Sequence, residues 1–367
     1  MKQGRSLEEL AKEIIRQKDA KHDYVTSTDV MQMRYVIGRQ NAGMRLVVEN
    51  DEHPLNLGLK PMAHEQIAQH TKIPKLYYDR MLTEAPGLLA SNVNTWFAKN
   101  PAMRMVRTLD NDARAFLSNG YRRRDNSDFI EAALPPLLKL GVEVMSCEVT
   151  ESRLYLKVVD HRIKKDIPTG KSLGDGSHTF FDTASPALVL SNSEVGLGAL
   201  VCQTSIYTHM CTNLAVFAER SMRKYHIGAR VDIGEETYKL LSDETLALTD
   251  QAFWAQITDV VKAAFDQAQF DAICEKIGEA SQNKIEGDPV KVIELAQKKF
   301  QLTDGERGSI LSHLIKGGDL TQYGLHAAVT RAAEDLPSYD RASQFEQLGG
   351  KIIELKPGEW REFAKAA

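Results

Sequence analysis

The chain is poor in cysteine, and this scarcity excludes one class of protein. Only four cysteines occur in 367 residues, they are widely spaced, and none forms a CxxC pair. A small disulfide-bonded scaffold is therefore excluded, and we expect buried, reduced thiols. Cys202, His209 and Cys211 have the right chemistry for metal ligands, but no fourth partner accompanies them. We predict no metal and no other cofactor.

Long apolar runs are also missing. No segment reaches the roughly 18 apolar residues that a membrane-spanning helix needs. Residues 1–21 have the pattern of an amphipathic helix and lack the apolar core of a signal peptide. A hydrophobic content of 43% and a charged content of 26% are typical of a globular protein. We therefore predict no membrane partner and a location in the cytoplasm.

The most informative feature that is present is an arginine-rich stretch at residues 103–124. It contains six arginines, two aromatic residues and no lysine. Arginine makes planar, bidentate contacts with phosphate and stacks on bases. Two strand-like runs flank a turn here, which favours a nucleic-acid platform on a hairpin. The predicted contacts are Arg104, Arg107, Arg114, Tyr121, Arg122, Arg123 and Arg124. Because Arg104 and Arg107 are an odd number of positions apart, they should point to opposite faces of a strand, and Arg107 is the less certain contact.

Charge is divided unevenly along the chain. The net charge of −4 combines +5 for residues 1–231 with −9 for residues 232–367. A basic part suits nucleic acid and an acidic part suits self-association, although two solvated surfaces of different sign would give the same split. We predict an N-terminal mixed helix and hairpin region (1–100), a basic α+β core (101–231) and an acidic helical C-terminal region (232–367).

Periodicity predicts an α+β fold. Residues 102–159 have a β-β-α-β-β order, which indicates a central antiparallel sheet with flanking helices. Residues 187–190 and 200–207 continue as strands, and 212–225 have a helical pattern that places Arg220 and Arg223 on one face. From residue 243 the pattern is helical, with helices expected at 243–267, 269–282, 288–300, 303–316, 321–334 and 338–349. Gly349 and Gly350 should end the last of these.

Further basic residues lie outside the arginine-rich stretch. Residues 161–183 are polar and rich in glycine and lysine, which is typical of a mobile loop. Lys164, Lys165 and Lys171 in this segment, with Arg220, Arg223 and Lys224, complete the predicted nucleic-acid contacts. Gly170-Lys171-Ser172 lacks the earlier glycine that a phosphate-binding loop requires, so we reject that motif. Four polar residues are possible ligand contacts, namely Asn192, Glu194, Asn213 and His226.

Residues 62–82 offer a different mode of DNA binding. Two short helices meet at a corner before Pro74, as in a helix-turn-helix unit, with Tyr77 expected inside and Lys75, Tyr78 and Asp79 at the start of the second helix. A helical hairpin that merely packs explains the same pattern. A sequence-specific regulator is therefore one alternative function.

An enzyme is the other alternative. Asp125, Asp128, Glu131 and Glu194 could serve a metal-dependent nuclease or phosphotransferase. Asp128 and Glu131 are also what the first turn of a helix favours through its dipole, and no catalytic motif accompanies them. We predict no catalytic residue.

Several segments resemble the phage and plasmid protein family catalogued as domain of unknown function 932. The similarity lies in 116–126 (FLSNGYRRRDN), 191–196 (SNSEVG), 210–213 (MCTN), 226–228 (HIG), 321–330 (TQYGLHAAVT), 339–343 (YDRAS) and 349–350 (GG). The resemblance implies a mobile-element protein active in DNA recombination or replication. The basic hairpin, helix and sheet are also similar in outline to single-strand annealing proteins, which is a likeness of fold alone.

The residues and the resemblance together predict an oligomeric protein that binds single-stranded DNA and promotes annealing. Such a protein needs a positive groove for the backbone and flat side chains for the bases. Ordinary surface ion pairs with the neighbouring aspartates are the competing explanation for the arginines. A scaffold acting through the acidic helical half is a further reading.

Overall fold

The computed structural model of the protein describes residues 1–38, 42–49, 54–172, 179–198, 200–209, 213–224 and 243–365. Strands occupy much of the chain up to residue 224, and helices dominate beyond residue 243. The predicted α+β class is confirmed, with helices flanking the sheets and a helical C-terminal region. No helix among the described residues is long and apolar enough to cross a membrane.

The first sheet has six strands in the order β1-β5-β6-β4-β3-β2, antiparallel except for the parallel pair β4–β6. Its strands are β1 (Lys21–Ser27), β2 (Met31–Val36), β3 (Gly43–Val48), β4 (Leu55–Leu59), β5 (Met103–Leu109) and β6 (Asp112–Ser118). The pairs β1–β5 and β4–β6 join strands on either side of residue 100, so this sheet spans the predicted boundary between the first two regions.

The second sheet is antiparallel and follows the order β12-β11-β10-β8-β7, with β9 paired to β10. Its strands are β7 (Glu143–Val149), β8 (Leu154–Val159), β9 (Lys165–Ser172), β10 (Thr179–Asn192), β11 (Leu200–Thr208) and β12 (Asn213–Lys224). The predicted β-β-α-β-β order holds along the chain, but its two hairpins belong to different sheets.

The second sheet is covered on both faces, and β8 shows why. Its six residues are all buried. Because successive side chains of a strand point to opposite faces, Leu154, Leu156 and Val158 join one apolar cluster with α1, α5 and α6. On the other face Tyr155 packs on Tyr339 of α11. A continuous buried run is what a strand between two helical layers requires.

Helices supply the remaining layers and agree closely with the periodicity of the sequence. They are α1 (Leu7–Ala20), α2 (Pro61–His70), α3 (Lys75–Glu84), α4 (Pro86–Lys99), α5 (Asn126–Leu140), α6 (Asp243–Ala263), α7 (Gln267–Gln282), α8 (Pro289–Phe300), α9 (Asp304–Gly317), α10 (Gln322–Ala332), α11 (Tyr339–Ile353) and α12 (Pro357–Ala364). Helices α2, α3 and α4 cover the first sheet through a single apolar cluster.

Three local predictions are wrong. Residues 161–183 are not a loop throughout, because β9 and the long strand β10 pair as a hairpin there. Residues 213–224 form strand β12 on β11, so the helical face expected for Arg220 and Arg223 does not exist. Gly350 does not end α11, which continues to Ile353; it lies where the helix backbone meets the Val216 carbonyl of β12.

Candidate nucleic-acid interface

Three of the six arginines in the arginine-rich stretch are buried. Arg107, Arg114 and Arg124 are 2%, 7% and 3% exposed. The Arg107 guanidinium donates to Asp23 at 2.8 Å, to Asp125 at 2.7 Å and to the Glu194 carbonyl at 3.1 Å. The Arg124 guanidinium lies 4.2 Å from the centre of the Phe253 ring. These three side chains have no open face for a nucleic-acid strand, so we exclude them from the interface.

Glu194 is the centre of this buried network. Its carboxylate accepts from Lys21 at 3.2 Å, from Arg114 at 3.1 Å and from the backbone N–H of Asn126 at 2.7 Å. Asn192 is fully buried, and its amide donates to the Arg124 carbonyl at 2.9 Å. Both side chains, which we predicted as possible ligand contacts, instead join the first sheet to α5 and β10.

Electrostatics in the network favour the ionised state. Burial alone would raise the pKa of Asp125, but Arg107 and Lys21 outweigh it and lower that pKa below its usual range. Burial raises the pKa of Tyr121, whose hydroxyl donates to the Ser193 carbonyl at 3.1 Å. Tyr121 therefore fixes the 193–198 turn and is not placed for base stacking.

The other predicted cations belong to several different segments of the chain. Arg123 is half exposed and pairs with Asp23 at 3.0 Å, and Lys165 pairs with Asp271 at 2.8 Å. Lys164 and Lys171 are exposed near the two ends of β9, and Arg122 is partly buried. Arg220, Arg223 and Lys224 belong to β12, and Asn213 begins it. His226 lies outside the described residues.

The predicted carboxylates are not arranged for metal binding in the described ranges. There, no group of three histidine, cysteine, aspartate or glutamate side chains is close enough to hold a metal ion. Lys21 bridges Asp125 and Glu194 at 2.7 and 3.2 Å. Glu131 is largely exposed near Lys18, while burial and then Asp125 raise the pKa of Asp128.

The predicted helix pair at 62–82 exists as α2 and α3, but the buried and the exposed tyrosine are the reverse of the prediction. Tyr78 is fully buried, and its hydroxyl lies 2.8 Å from Nδ1 of His64. Tyr77, expected inside, is 48% exposed. Adjacent residues differ by about 100° around a helix, so one of the two tyrosines had to face outward. The predicted contact Lys75 pairs with Asp79 at 2.5 Å on the same surface.

A surface cleft opens beside this exposed tyrosine. We call it the α3–α4 cleft; it has a volume of about 570 Å³. Its lining comes from the end of α2, the corner before α3, α3 itself and α4: His70, Thr71, Lys72, Ile73, Pro74, Tyr77, Asn92, Trp96 and Asn100. None of these residues is acidic, so nothing in the lining repels a polyanion.

Two aromatic side chains of the α3–α4 cleft are partly exposed. Trp96 is 41% exposed, similar to Tyr77. The indole N–H of Trp96 donates to Asn92 at 3.0 Å, one helical turn away, which fixes the ring plane. Lys99 lies 5.9 Å from the ring centre. Lys99 lies over one face of the indole, so an unpaired base would stack on the other face.

One lysine lines the cleft and a second lies next to it. Lys72 has a left-handed backbone with φ of 55° because it ends α2 in a turn in which the Ile73 N–H donates to the Ala68 carbonyl at 3.0 Å. Across the part of the chain that the structure describes, neither Lys72 nor Lys99 has a carboxylate within 4.0 Å. Both lysines are exposed. They can therefore contact phosphate without first losing an ion pair.

One predicted arginine, Arg104, contacts a lining residue of this cleft from the sheet side. Arg104 of β5 contacts Nδ1 of His70 at 2.8 Å. Burial, with a contribution from Arg104, lowers the pKa of His70 to about 4, so His70 is neutral at pH 7 and accepts this hydrogen bond. His70 also packs on Phe97 and Phe116, which stack on each other at 5.7 Å. Arg104 thus supports the floor of the cleft.

Sequence reasoning missed Lys72, Trp96 and Lys99. A signal was present, because residues 85–109 contain no aspartate or glutamate, and that window includes α4 and leads into the arginine-rich stretch. No protein-family model, curated protein or solved structure matches the chain.

Proposed function

We propose that the protein binds single-stranded nucleic acid in the α3–α4 cleft. One observation carries the proposal: an acid-free cleft that combines two exposed aromatic rings with Lys72 in its lining and Lys99 next to one of the rings. Bases would stack on Trp96 and Tyr77, and Lys72 and Lys99 would contact the phosphates. Stacking contributes roughly 1–3 kcal/mol per base and tolerates any sequence.

The geometry favours single strands over duplex reading. A recognition helix needs exposed polar or basic side chains along the face that enters the major groove. On α3, Lys75 and Arg80 pair with Asp79 and Glu84 at 2.5 and 2.9 Å, so much of their charge is already neutralised. The aromatic rings beside them match unpaired bases better than groove edges.

The biological setting in this proposal rests on the sequence resemblance. We propose a phage or plasmid protein of the domain of unknown function 932 family, acting in the cytoplasm in recombination or replication. Annealing by a homo-oligomer is the activity that the likeness to single-strand annealing proteins suggests. The cleft supplies the strand-binding element that such an activity needs.

Fluorescence anisotropy with labelled single- and double-stranded oligonucleotides at several salt concentrations tests this proposal. Lys72→Ala should weaken single-strand binding and reduce the slope of log K against log salt by about 0.7, because one phosphate contact is lost. Lys316→Ala is the matched control, since it removes one exposed lysine from α9. Equal effects of the two variants, or no single-strand binding at low salt, would contradict the proposal.

A further inference from the structure

A second cleft lies where the β9–β10 hairpin meets helices α9 and α10. We call it the α9–α10 cleft; it has a volume of about 550 Å³, and its apolar lining includes Phe180, Leu314, Gly317, Tyr323, Ala327 and Ala328. Most of the accessible lining is apolar, with Phe180 44% exposed and Ala327 partly exposed. Sites for small molecules have this size and this mostly apolar character. None of the lining residues belongs to the α3–α4 cleft.

The charged side chains that an occupant of this cleft can reach are positive. Lys171 of β9 and Lys316 in the last turn of α9 are exposed, and the side chain of Arg331 in α10 is 44% exposed. Arg331 lies 3.6 Å from Glu334, whereas no carboxylate of the described ranges lies within 4.0 Å of Lys316. The Lys316 ammonium can therefore pair with an anionic ligand without first losing an ion pair.

The two carboxylates of the lining are buried and hydrogen-bonded. Asp182 and Asp319 are 1% and 5% exposed. The Asp319 carboxylate accepts from the backbone N–H of Gly170 at 2.9 Å and from the Thr321 hydroxyl at 2.6 Å, and the Asp182 carboxylate accepts from the Tyr323 hydroxyl at 3.3 Å. A cationic ligand would meet the exposed lysines before it reached either acid. The charge of the accessible lining therefore favours an anion.

We propose that the α9–α10 cleft binds a small amphipathic anion, which is a free acid with an apolar body and one anionic head group. The apolar body would lie against Phe180 and Ala327, and the head group would pair with Lys316, with Lys171 and Arg331 adding positive charge at the same cleft. A medium-chain fatty acid has this chemistry. The site lies on different elements from the α3–α4 cleft and does not depend on nucleic-acid binding.

Isothermal titration of the full chain with decanoate, below its micelle concentration, tests this site. Decanoate should bind saturably, and decyltrimethylammonium, which has an alkyl chain of similar length and the opposite charge, should not. Each buried CH₂ group contributes about 0.8 kcal/mol, so octanoate, which is two CH₂ groups shorter, should bind roughly tenfold more weakly than decanoate. The charge comparison tests the cations of the cleft, and the chain-length comparison tests its apolar lining.

Two variants test the cleft itself, each with a matched control. Lys316→Ala should weaken decanoate binding by about two- to fivefold, because an exposed ion pair contributes up to about 1 kcal/mol. Lys298→Ala is its control, since Lys298 is also an exposed lysine in the last turn of a helix. Ala327→Trp should abolish binding by filling the cleft, and Ala268→Trp at an exposed position of α7 should change nothing. Circular dichroism verifies that each variant is folded.

One further variant separates this proposal from the proposed function. Trp96→Ala should lose single-strand binding yet keep decanoate binding, so that either proposal can fail without the other. Three results would overturn the anion site: decyltrimethylammonium binding as tightly as decanoate, no saturable decanoate binding at millimolar concentration, or the same decanoate affinity in Lys316→Ala and Ala327→Trp as in their two controls.

Discussion

Replacing Arg107 by leucine should be among the most destabilising single changes in this protein. The substitution removes one buried charge and leaves Asp23 and Asp125, which are 12% and 21% exposed, with one cation fewer. Breaking a buried ion pair from one side costs about 3–5 kcal/mol. Asp23 keeps Arg123, and Asp125 keeps Lys21 at 2.7 Å, so we expect the lower end, about 3 kcal/mol.

Arg123→Ala is the control for this prediction. Arg123 pairs with the same Asp23 at 3.0 Å, but its side chain is 51% exposed. Exposed pairs contribute about 0–1 kcal/mol. In urea unfolding, Arg107→Leu should lower the midpoint by about 1 M or more, and Arg123→Ala by a small fraction of that. Similar midpoints for the two variants would refute the reasoning that burial sets the energy of this network.

The acid dependence of stability follows from the same pair. The folded-state pKa of Asp125 is lowered, so its stabilising contribution is present above the unfolded pKa of about 3.9 and is lost as pH falls through the folded pKa. Arg107→Leu removes a main cause of that lowering. Its stability should therefore fall less steeply than that of the wild type below about pH 4, as urea midpoints across this range would reveal.

Two further predictions concern α11. Glu346→Gln leaves the buried Lys157, 2.7 Å away, without a counter-charge and should lower the free energy of unfolding by about 3–5 kcal/mol in the same urea assay. The double variant Lys157→Met/Glu346→Leu should be close to neutral, and a double variant as unstable as the single one would contradict this. Gly350→Ala places a Cβ 1.9 Å from the Val216 carbonyl oxygen and should destabilise the contact of α11 with β12. Gly308→Ala on α9, where a Cβ meets open space, should instead stabilise the protein by up to about 1 kcal/mol. Unfolding temperatures that shift in the same direction for both variants would refute the comparison.

Local signals predicted the helices of the C-terminal half well. Helix α9, for example, begins with a capping box in which Thr303 and Glu306 satisfy each other's backbone amides, and its residues are close neighbours in sequence. Strand β12 was missed for the opposite reason. Residues 214–217 are all buried, so no alternation distinguishes a strand from a buried helix, and only the pairing with β11 decides.

The candidate sites depended on contacts that no local pattern encodes. Arg107 meets Asp23 across 84 residues, and Arg114 meets Glu194 across 80. The arginine-rich stretch was therefore predicted to be an exposed binding surface, although half of its arginines are buried. The α3–α4 cleft combines a corner residue, Lys72, with a residue of α4, Trp96, and periodicity within one helix cannot show that these two share a cavity.

The most direct test of nucleic-acid binding in the cleft uses its own tryptophan as the reporter. Of the three tryptophans, Trp96 is 41% exposed, Trp254 is partly buried and Trp360 is 4% exposed. Titration with a single-stranded oligonucleotide should quench the emission of the wild type and of Trp254→Phe, because a stacked base contacts Trp96. Trp96→Phe should lose most of that quenching. Quenching that survives in Trp96→Phe and disappears in Trp254→Phe would place the strand elsewhere and contradict the central claim.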